Sequence, residues 1–288
     1  MTGTGTGEAG VRMGRDGRPR PVRPTLEQLR AVCQPPEVRA RRNAEHWTAE
    51  LYLRHISIYL TAALLRTRIT ANGVTGLMIL SGWAMSAALL VPGIWGPLLA
   101  VVLSQLQLYF DCSDGEVARW RESQSPKGIF IDMVGHHTTE ALLPIALGCR
   151  VALELAGGAP FGADSWAILF VGAAVAVLLV LNRSQSLMVH AARGMAGLGK
   201  LPDTAAARAV PATSLVGKLR RLARFLPFHR LLHAVELSLL ILAASIVSAL
   251  LGSPGLGEQW MLWILLPACV FVNLGHFLSN MASTRLVA

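Results

Sequence analysis

Charged residues are scarce in this chain. Of its 288 residues only 15% are charged, against about 25% in an ordinary soluble domain, while 53% are hydrophobic. This composition argues against a soluble enzyme, a disordered chain and a collagen-like fibre, and it predicts an integral membrane protein. Cysteine is scarce as well: the four cysteines form no CxxC pair, which argues against a disulfide framework or a zinc site.

Long apolar runs are what the chain has instead. Six segments are long and apolar enough to be membrane spans. They lie at roughly residues 73–91, 94–111, 129–153, 166–188, 232–252 and 260–282. The predicted fold is therefore all-α and integral to the membrane, with six transmembrane helices.

Two further segments precede the spans. Residues 1–45 are rich in Gly, Pro and Arg, so we predict a disordered basic tail with one short helix near Thr25–Ala31. Residues 46–68 mix apolar and basic side chains, which is typical of an amphipathic helix at the membrane surface. The alternative is that these residues begin a longer transmembrane helix. Residues 69–285 then form the six-helix membrane domain.

The net charge of +9 is distributed unevenly among the loops. Lys and Arg are concentrated in residues 12–68 and in the loops near 116–127 and 189–231. The loops at 92–95, 155–165 and 252–259 contain no Lys or Arg. The positive-inside rule therefore predicts that both termini are cytoplasmic. Basic loops facing an anionic leaflet also explain the charge, so no nucleic acid partner is expected.

Acidic residues gather at the predicted cytoplasmic ends of the second and third spans. Asp111 and Asp114 are three residues apart and share a helix face, and Asp132 is followed one turn later by His136 and then by Glu140. Carboxylates at a membrane boundary are costly unless they are paired, hydrated or bound to metal. Two aspartates alone would ordinarily be solvated, but the full spaced set predicts a cytoplasm-facing site for a hard divalent cation and a phosphate-containing substrate.

The same stretch resembles the signature of a known enzyme family. The pattern Asp111-x2-Asp114-Gly115-x2-Ala118-Arg119-x8-Gly128-x3-Asp132-x3-His136 is similar to that of the CDP-alcohol phosphatidyltransferases. The family has a fourth aspartate where this chain has His136. The segment Thr70–Thr75 is also similar to the T-P-N-x-x-T sequence at the start of the family's first span, with Ala71 in place of Pro. The resemblance covers roughly residues 46–285.

The resemblance implies an activity and a role for each matching residue. The enzymes of this family move a substituted phosphoryl group from a CDP-linked donor to an alcohol and release CMP. Asp111, Asp114 and Asp132 would hold one or two divalent metals, Mg²⁺ or Mn²⁺, on the donor diphosphate. The residues expected near the nucleotide are Gly115, Ala118, Arg119, Asn72 and Gly128. The family also implies a homodimer.

His136 is the one departure from the motif. In the family the residue at this place is the proposed general base for the acceptor hydroxyl, and a neutral histidine can accept a proton or bind a metal. Three interpretations stay open. His136 is the base of an active variant, Glu140 or His137 has taken over part of the role, or transfer activity is lost.

Arg183 lies near the predicted cytoplasmic end of the fourth span, where an anionic partner is expected. With Glu140 it is a candidate for binding the acceptor or a phosphate. The alternative is that its side chain extends to the membrane interface.

These observations predict a membrane transferase for phospholipid synthesis. The expected donor is CDP-diacylglycerol or another CDP-alcohol, and the acceptor is a small polar alcohol or polyol phosphate. The alternatives are a synthase that joins a CDP-polyol to a polyol phosphate, an inactive member that binds CDP-lipid, and a transporter. A transporter is disfavoured because its binding residues would lie near the bilayer midplane.

Overall fold

The computed structural model of the protein describes residues 11–35, 53–199, 233–282 and 286. Over these residues the chain forms one two-stranded antiparallel sheet and eight α-helices. The strands are β1 (Val11–Met13) and β2 (Pro19–Pro21). The helices are α1 (Leu26–Cys33), α2 (Arg54–Leu65), α3 (Ala71–Ala88), α4 (Trp95–Arg121), α5 (Pro126–Ala156), α6 (Ala163–Met195), α7 (Ala234–Leu250) and α8 (Leu256–Met281). The prediction of a helical protein is confirmed.

Each of the six predicted spans overlaps one helix, from α3 to α8. Two of the described helices, α6 and α8, are long and apolar enough to cross a membrane. The count of six crossings and the cytoplasmic placement of both termini stay predictions.

The chain divides into two compact units. The first consists of Met1–Leu80 with Leu106–Gly135, and the second of Ser81–Gln105 with His136–Ala288.

The N-terminal part of the first unit corrects a prediction. Residues 1–45 are expected to be disordered, but β1 and β2 form a hairpin and α1 packs Leu29 and Cys33 against Ile58 of α2 and Trp120 of α4. The short helix predicted near Thr25–Ala31 is confirmed. Its start is fixed by a capping box, in which the Thr25 side chain accepts from the Gln28 amide and the Gln28 side chain accepts from the Thr25 amide. Residues 1–10 and 36–45 lie outside the described residues.

The predicted surface segment 46–68 contains α2, and residues 46–52 lie outside the described residues. Helix α2 ends at Leu65 and a separate helix, α3, begins at Ala71. The segment is therefore not the start of one longer helix. On α2, Ile58 is fully buried while Tyr59 is 56% exposed, as expected for an amphipathic helix. Its position at a membrane surface stays a prediction.

The second unit is built around a large apolar core, to which α3, α4, α5, α6, α7 and α8 contribute. Helix α6 packs on α8, and α7 packs on α8. Helices α5 and α6 approach closely at two glycines: a β-carbon on Gly172 would lie 2.6 Å from the carbonyl oxygen of Pro144 and 3.0 Å from the Cα atom of Gly148. The small residues of α6 therefore form a packing surface.

A buried arginine holds the turn between α3 and α4. The guanidinium of Arg150, on α5, donates to the carbonyls of Leu89, Val91 and Gly93. It also forms ion pairs with Glu154 at 2.9 Å and with Glu258 at 3.4 Å. The contact with Glu154 follows from their spacing of one helical turn.

Candidate functional site

The acidic residues of the motif lie on two helices, α4 and α5. Asp111 and Asp114 are on α4, and Asp132 is on α5. A carboxylate oxygen of Asp111 and one of Asp132 lie within 4.8 Å of each other, a separation that one cation can bridge. The Oδ2 atom of Asp114 accepts a hydrogen bond of 2.7 Å from the Thr75 hydroxyl on α3. The structure thus brings Asp111 and Asp132 within reach of one cation, while the hydrogen bond of Asp114 is to Thr75.

Negative charge is concentrated around Asp114. Burial, followed by the neighbouring carboxylate of Asp111, raises the pKa of Asp114 to about 7, and Asp132 contributes in the same direction. The hydrogen bonds from Thr75 and from the Gly115 amide oppose the shift without cancelling it. Carboxylates crowded in this way fit a hard divalent cation, which binds oxygen and would neutralise their mutual repulsion.

His136 follows Asp132 on the same unbroken helix. The spacing of four residues places it one turn along α5 from Asp132, on the same face of the helix. A neutral imidazole at this place has one lone pair, with which it can bind a cation or accept a proton, but not both with the same nitrogen.

The starts of two helices position the residues predicted to border the nucleotide. The Thr70 hydroxyl accepts from the Gly73 amide and so caps α3, which places Asn72 in the first turn. Ser125 caps α5 in the same way through the Gly128 amide. A β-carbon on Gly128 would lie 3.0 Å from the Asn72 Oδ1 atom, so glycine here lets the two helix starts approach.

The other three residues predicted near the nucleotide, Gly115, Ala118 and Arg119, lie on α4. The guanidinium of Arg119 lies over Gly115, where a β-carbon would be 3.2 Å from its Nη1 atom. Ala118 packs beside Ala71, Val74 and Val117. The five residues predicted near the nucleotide thus belong to the first unit, and binding of a nucleotide by them stays a prediction.

Arg183 and Glu140 form an ion pair with each other within the second unit. The Nδ1 atom of His233 lies 3.3 Å from the same Glu140 oxygen. The anionic partner that the sequence predicts for Arg183 is therefore a carboxylate in this structure. His137, the other alternative base, has its Nε2 atom 3.3 Å from the Ser184 hydroxyl. Both alternatives to His136 thus have partners within the second unit, and the choice of base among the three residues stays a prediction.

Two residues of the site are missed by sequence reasoning. Thr75 holds Asp114, and Glu116 is a buried carboxylate on α4 with only 2% of its surface exposed. Glu116 occupies a position of the motif at which the residue type is not fixed, so the motif does not indicate a role for it. The capping box at Thr25 and Gln28 is the one sequence signal for an ordered element near it.

Comparison with known proteins agrees with the motif. A family model described as CDP-alcohol phosphatidyltransferase matches residues 68–271, which include every motif position from Asp111 to His136. No curated protein matches the chain.

Proposed function

Because the chain belongs to the CDP-alcohol phosphatidyltransferase family, whose members are phosphotransferases, we propose that it transfers a phosphatidyl group from CDP-diacylglycerol to a small polar alcohol. The observation that supports this most directly is the approach of Asp111 to Asp132 beside the crowded carboxylate of Asp114. Crowded carboxylates bind a divalent cation, and the same cation can bind the diphosphate of a donor. These residues therefore fit a substrate that contains a diphosphate.

In the proposed reaction the acceptor oxygen forms a bond to the β-phosphorus of the donor, and the bond from that phosphorus to the bridging oxygen of CMP breaks. His136 accepts the proton of the acceptor hydroxyl. Asp111, Asp114 and Asp132 would hold Mg²⁺ or Mn²⁺, which supplies charge neutralisation for the diphosphate and for the departing CMP. Gly115 and Ala118 border the cytidine, and Arg119, Asn72 and Gly128 lie elsewhere around the nucleotide. The protein contributes mainly positioning and charge stabilisation.

The two apolar helices and the family membership indicate a membrane protein. We propose a multi-pass protein of the plasma membrane, with the site facing the cytoplasm, because the basic residues cluster in alternate loops. Membrane lipids are then its surroundings as well as its donor. We also propose a homodimer and an acceptor such as glycerol phosphate or inositol phosphate, with Arg183 and Glu140 as candidates for the acceptor side.

The test is CMP release by the purified protein in nanodiscs. CDP-diacylglycerol and Mg²⁺ or Mn²⁺ are supplied with a panel of polar alcohols and polyol phosphates. The expected result is CMP release that requires one acceptor and is lost in Asp114→Asn. Asp164→Asn, which changes an exposed carboxylate at the start of α6, is the matched control and should retain activity.

Two other outcomes distinguish the alternatives. Release of CMP from a CDP-polyol, but not from CDP-diacylglycerol, would identify a synthase of soluble products. Binding of CDP-diacylglycerol with no release for any acceptor would identify an inactive member and contradict the proposal.

A further inference from the structure

Glu116 is a buried carboxylate that the proposed reaction does not use. Its Oε1 atom accepts from the Gln34 side-chain amide at 2.7 Å and from the Ser57 hydroxyl at 2.9 Å, and its Oε2 atom accepts from the Thr61 hydroxyl at 2.6 Å. A buried charge is tolerated only when such partners satisfy it. Three donors from α2 and the end of α1 therefore converge on one residue of α4.

Glu116 and Asp114 point to different sides of α4. Two residues correspond to about 200° around an α-helix, so the carboxylate of Glu116 lies nearly opposite the metal-binding face. It therefore contacts α1 and α2, while Asp114 contacts Thr75 of α3. Glu116 is therefore placed to hold α4 from the side opposite the predicted metal-binding face.

The end of α1 links Glu116 to Arg119. The Cys33 thiol donates to the Glu116 carbonyl at 3.3 Å, and the next residue, Gln34, donates to the Glu116 carboxylate. The carbonyl of Cys33 in turn accepts from the Arg119 Nε atom at 2.6 Å. This bond holds the guanidinium over Gly115, where a β-carbon would lie 3.2 Å from Nη1. The end of α1 is thus bonded to Glu116 on one side and to Arg119 on the other.

We propose that Glu116 is a positioning residue for donor binding, acting through the end of α1 on Arg119. The proposal rests on the proposed function, in which Arg119 belongs to the residues that bind the nucleotide of the donor. It also gives α1 a role in the transferase, since Cys33 at the end of α1 supplies the carbonyl that orients Arg119. Loss of the Glu116 carboxylate would remove its hydrogen bond to Gln34, and the end of α1 that orients the Arg119 guanidinium would be held less firmly.

The test is equilibrium binding of CDP with Mg²⁺ to the full-length protein in nanodiscs, measured by calorimetry well below the unfolding temperature of each variant. Glu116→Ala is expected to weaken CDP binding by roughly 10-fold to 100-fold, the range for residues that orient direct ligands. Glu116→Gln keeps the shape and most of the hydrogen bonds, so its affinity should stay within about threefold of the wild type. Arg12→Ala removes an exposed ion pair with Glu122 and should leave CDP affinity unchanged.

A double-mutant cycle tests the route through Arg119. If Glu116 acts by orienting Arg119, then Glu116→Ala should add little to the loss already caused by Arg119→Ala. Additive losses would overturn the proposal, and so would a folded Glu116→Ala protein that binds CDP as well as the wild type. If Glu116→Ala does not fold, the Thr61→Val variant is measured in its place. It removes one hydrogen-bond donor to Glu116 and should weaken CDP binding by about threefold. Unchanged CDP affinity in this variant would overturn the proposal.

The CDP-binding measurement tests the role of Glu116 separately from the proposed transferase activity. A wild-type protein that binds CDP but releases no CMP would contradict the proposed function and leave the role of Glu116 to be decided by the same CDP measurements.

Discussion

Asp114 is a carboxylate of the candidate site whose negative charge is disfavoured by its surroundings. Its Oδ2 atom is fixed by Thr75 at 2.7 Å, and burial and the carboxylates of Asp111 and Asp132 all disfavour its charge. Like charges held this close destabilise the folded protein unless a cation neutralises them. The three aspartates therefore lower the stability of the metal-free protein, and a bound cation would remove this destabilisation.

This balance predicts two opposite effects of Asp114→Asn. The metal-free variant should be more stable than the wild type, because one of three repelling charges is gone. Added Mg²⁺ should stabilise the wild type, by about 2.7 kcal/mol at a hundredfold excess over its dissociation constant, and should stabilise the variant far less. Thermal unfolding with and without Mg²⁺ measures both effects. An equal Mg²⁺ shift in the variant would contradict a metal site at Asp114, and Asp164→Asn is the control.

The sequence predicts some residues of the site better than others, for a physical reason. Asp111 and Asp114, and likewise Asp132 and His136, are one helical turn apart, so their shared faces follow from spacing alone. The role of Glu116 depends on Gln34, Ser57 and Thr61, which no local pattern connects to it. Arg183 is a similar case, because its partner Glu140 lies on another helix, 43 residues away.

At the scale of elements, the contact between α5 and α6 depends on glycine. Gly172 faces the backbone of Pro144 and Gly148, which cannot rotate away as a side chain would. Sequence reasoning identifies the small residues of α6 as a packing surface, because a run of Gly and Ala allows two helix backbones to approach. It does not identify which helix is the partner.

Gly172→Ala is predicted to destabilise the protein by about 1–3 kcal/mol, because the added methyl group overpacks this contact. The matched control is Gly275→Ala on α8, where no atom of the described residues lies within 4 Å of the position of the new methyl group. The control should be neutral or slightly stabilising, since alanine favours a helix over glycine. Thermal unfolding in detergent compares the two, and similar losses in both variants would contradict the contact.

Arg150 joins three elements, the turn after α3, helix α5 and the start of α8. Arg150→Met is predicted to cost about 3–5 kcal/mol of unfolding free energy, because Glu258 stays buried with its cation removed. Ser245 still donates to Glu258 but cannot neutralise it. The double variant Arg150→Met with Glu258→Gln should recover part of the loss. Unfolding measurements that show no recovery would contradict the ion pair as the source of the effect.

The N-terminal segment shows where composition misleads. Its Gly, Pro and Arg content is typical of disorder, because such residues cannot build a core of their own. The hairpin is instead held by residues far along the chain: Arg12 pairs with Glu122 at 2.8 Å, and the Arg20 guanidinium lies over the ring of Trp120. Local composition carries no information about such long-range partners.

At the scale of the whole molecule, the distribution of Lys and Arg predicts which loops face the cytoplasm. In a cysteine-free background, Ala159→Cys lies in the exposed turn between α5 and α6, and Ser123→Cys lies in the exposed turn between α4 and α5. A membrane-impermeant maleimide should label residue 159 in intact cells and residue 123 only after permeabilisation. Labelling of both residues, or of residue 123 alone, in intact cells would contradict the predicted topology.

We propose that this member of the family, with histidine at the last motif position, is a working transferase. The direct measurement is CMP release from CDP-diacylglycerol in nanodiscs, with the alcohol that the acceptor panel identifies. It compares the wild type with His136→Ala, His136→Asp and His137→Ala. We predict that His136→Ala lowers kcat by at least about 100-fold, as expected for loss of a general base. We also predict that His136→Asp retains activity and that His137→Ala has a small effect. A wild type that releases no CMP would contradict the transferase activity, and a His136→Ala protein with undiminished turnover would contradict the role of His136 as the base.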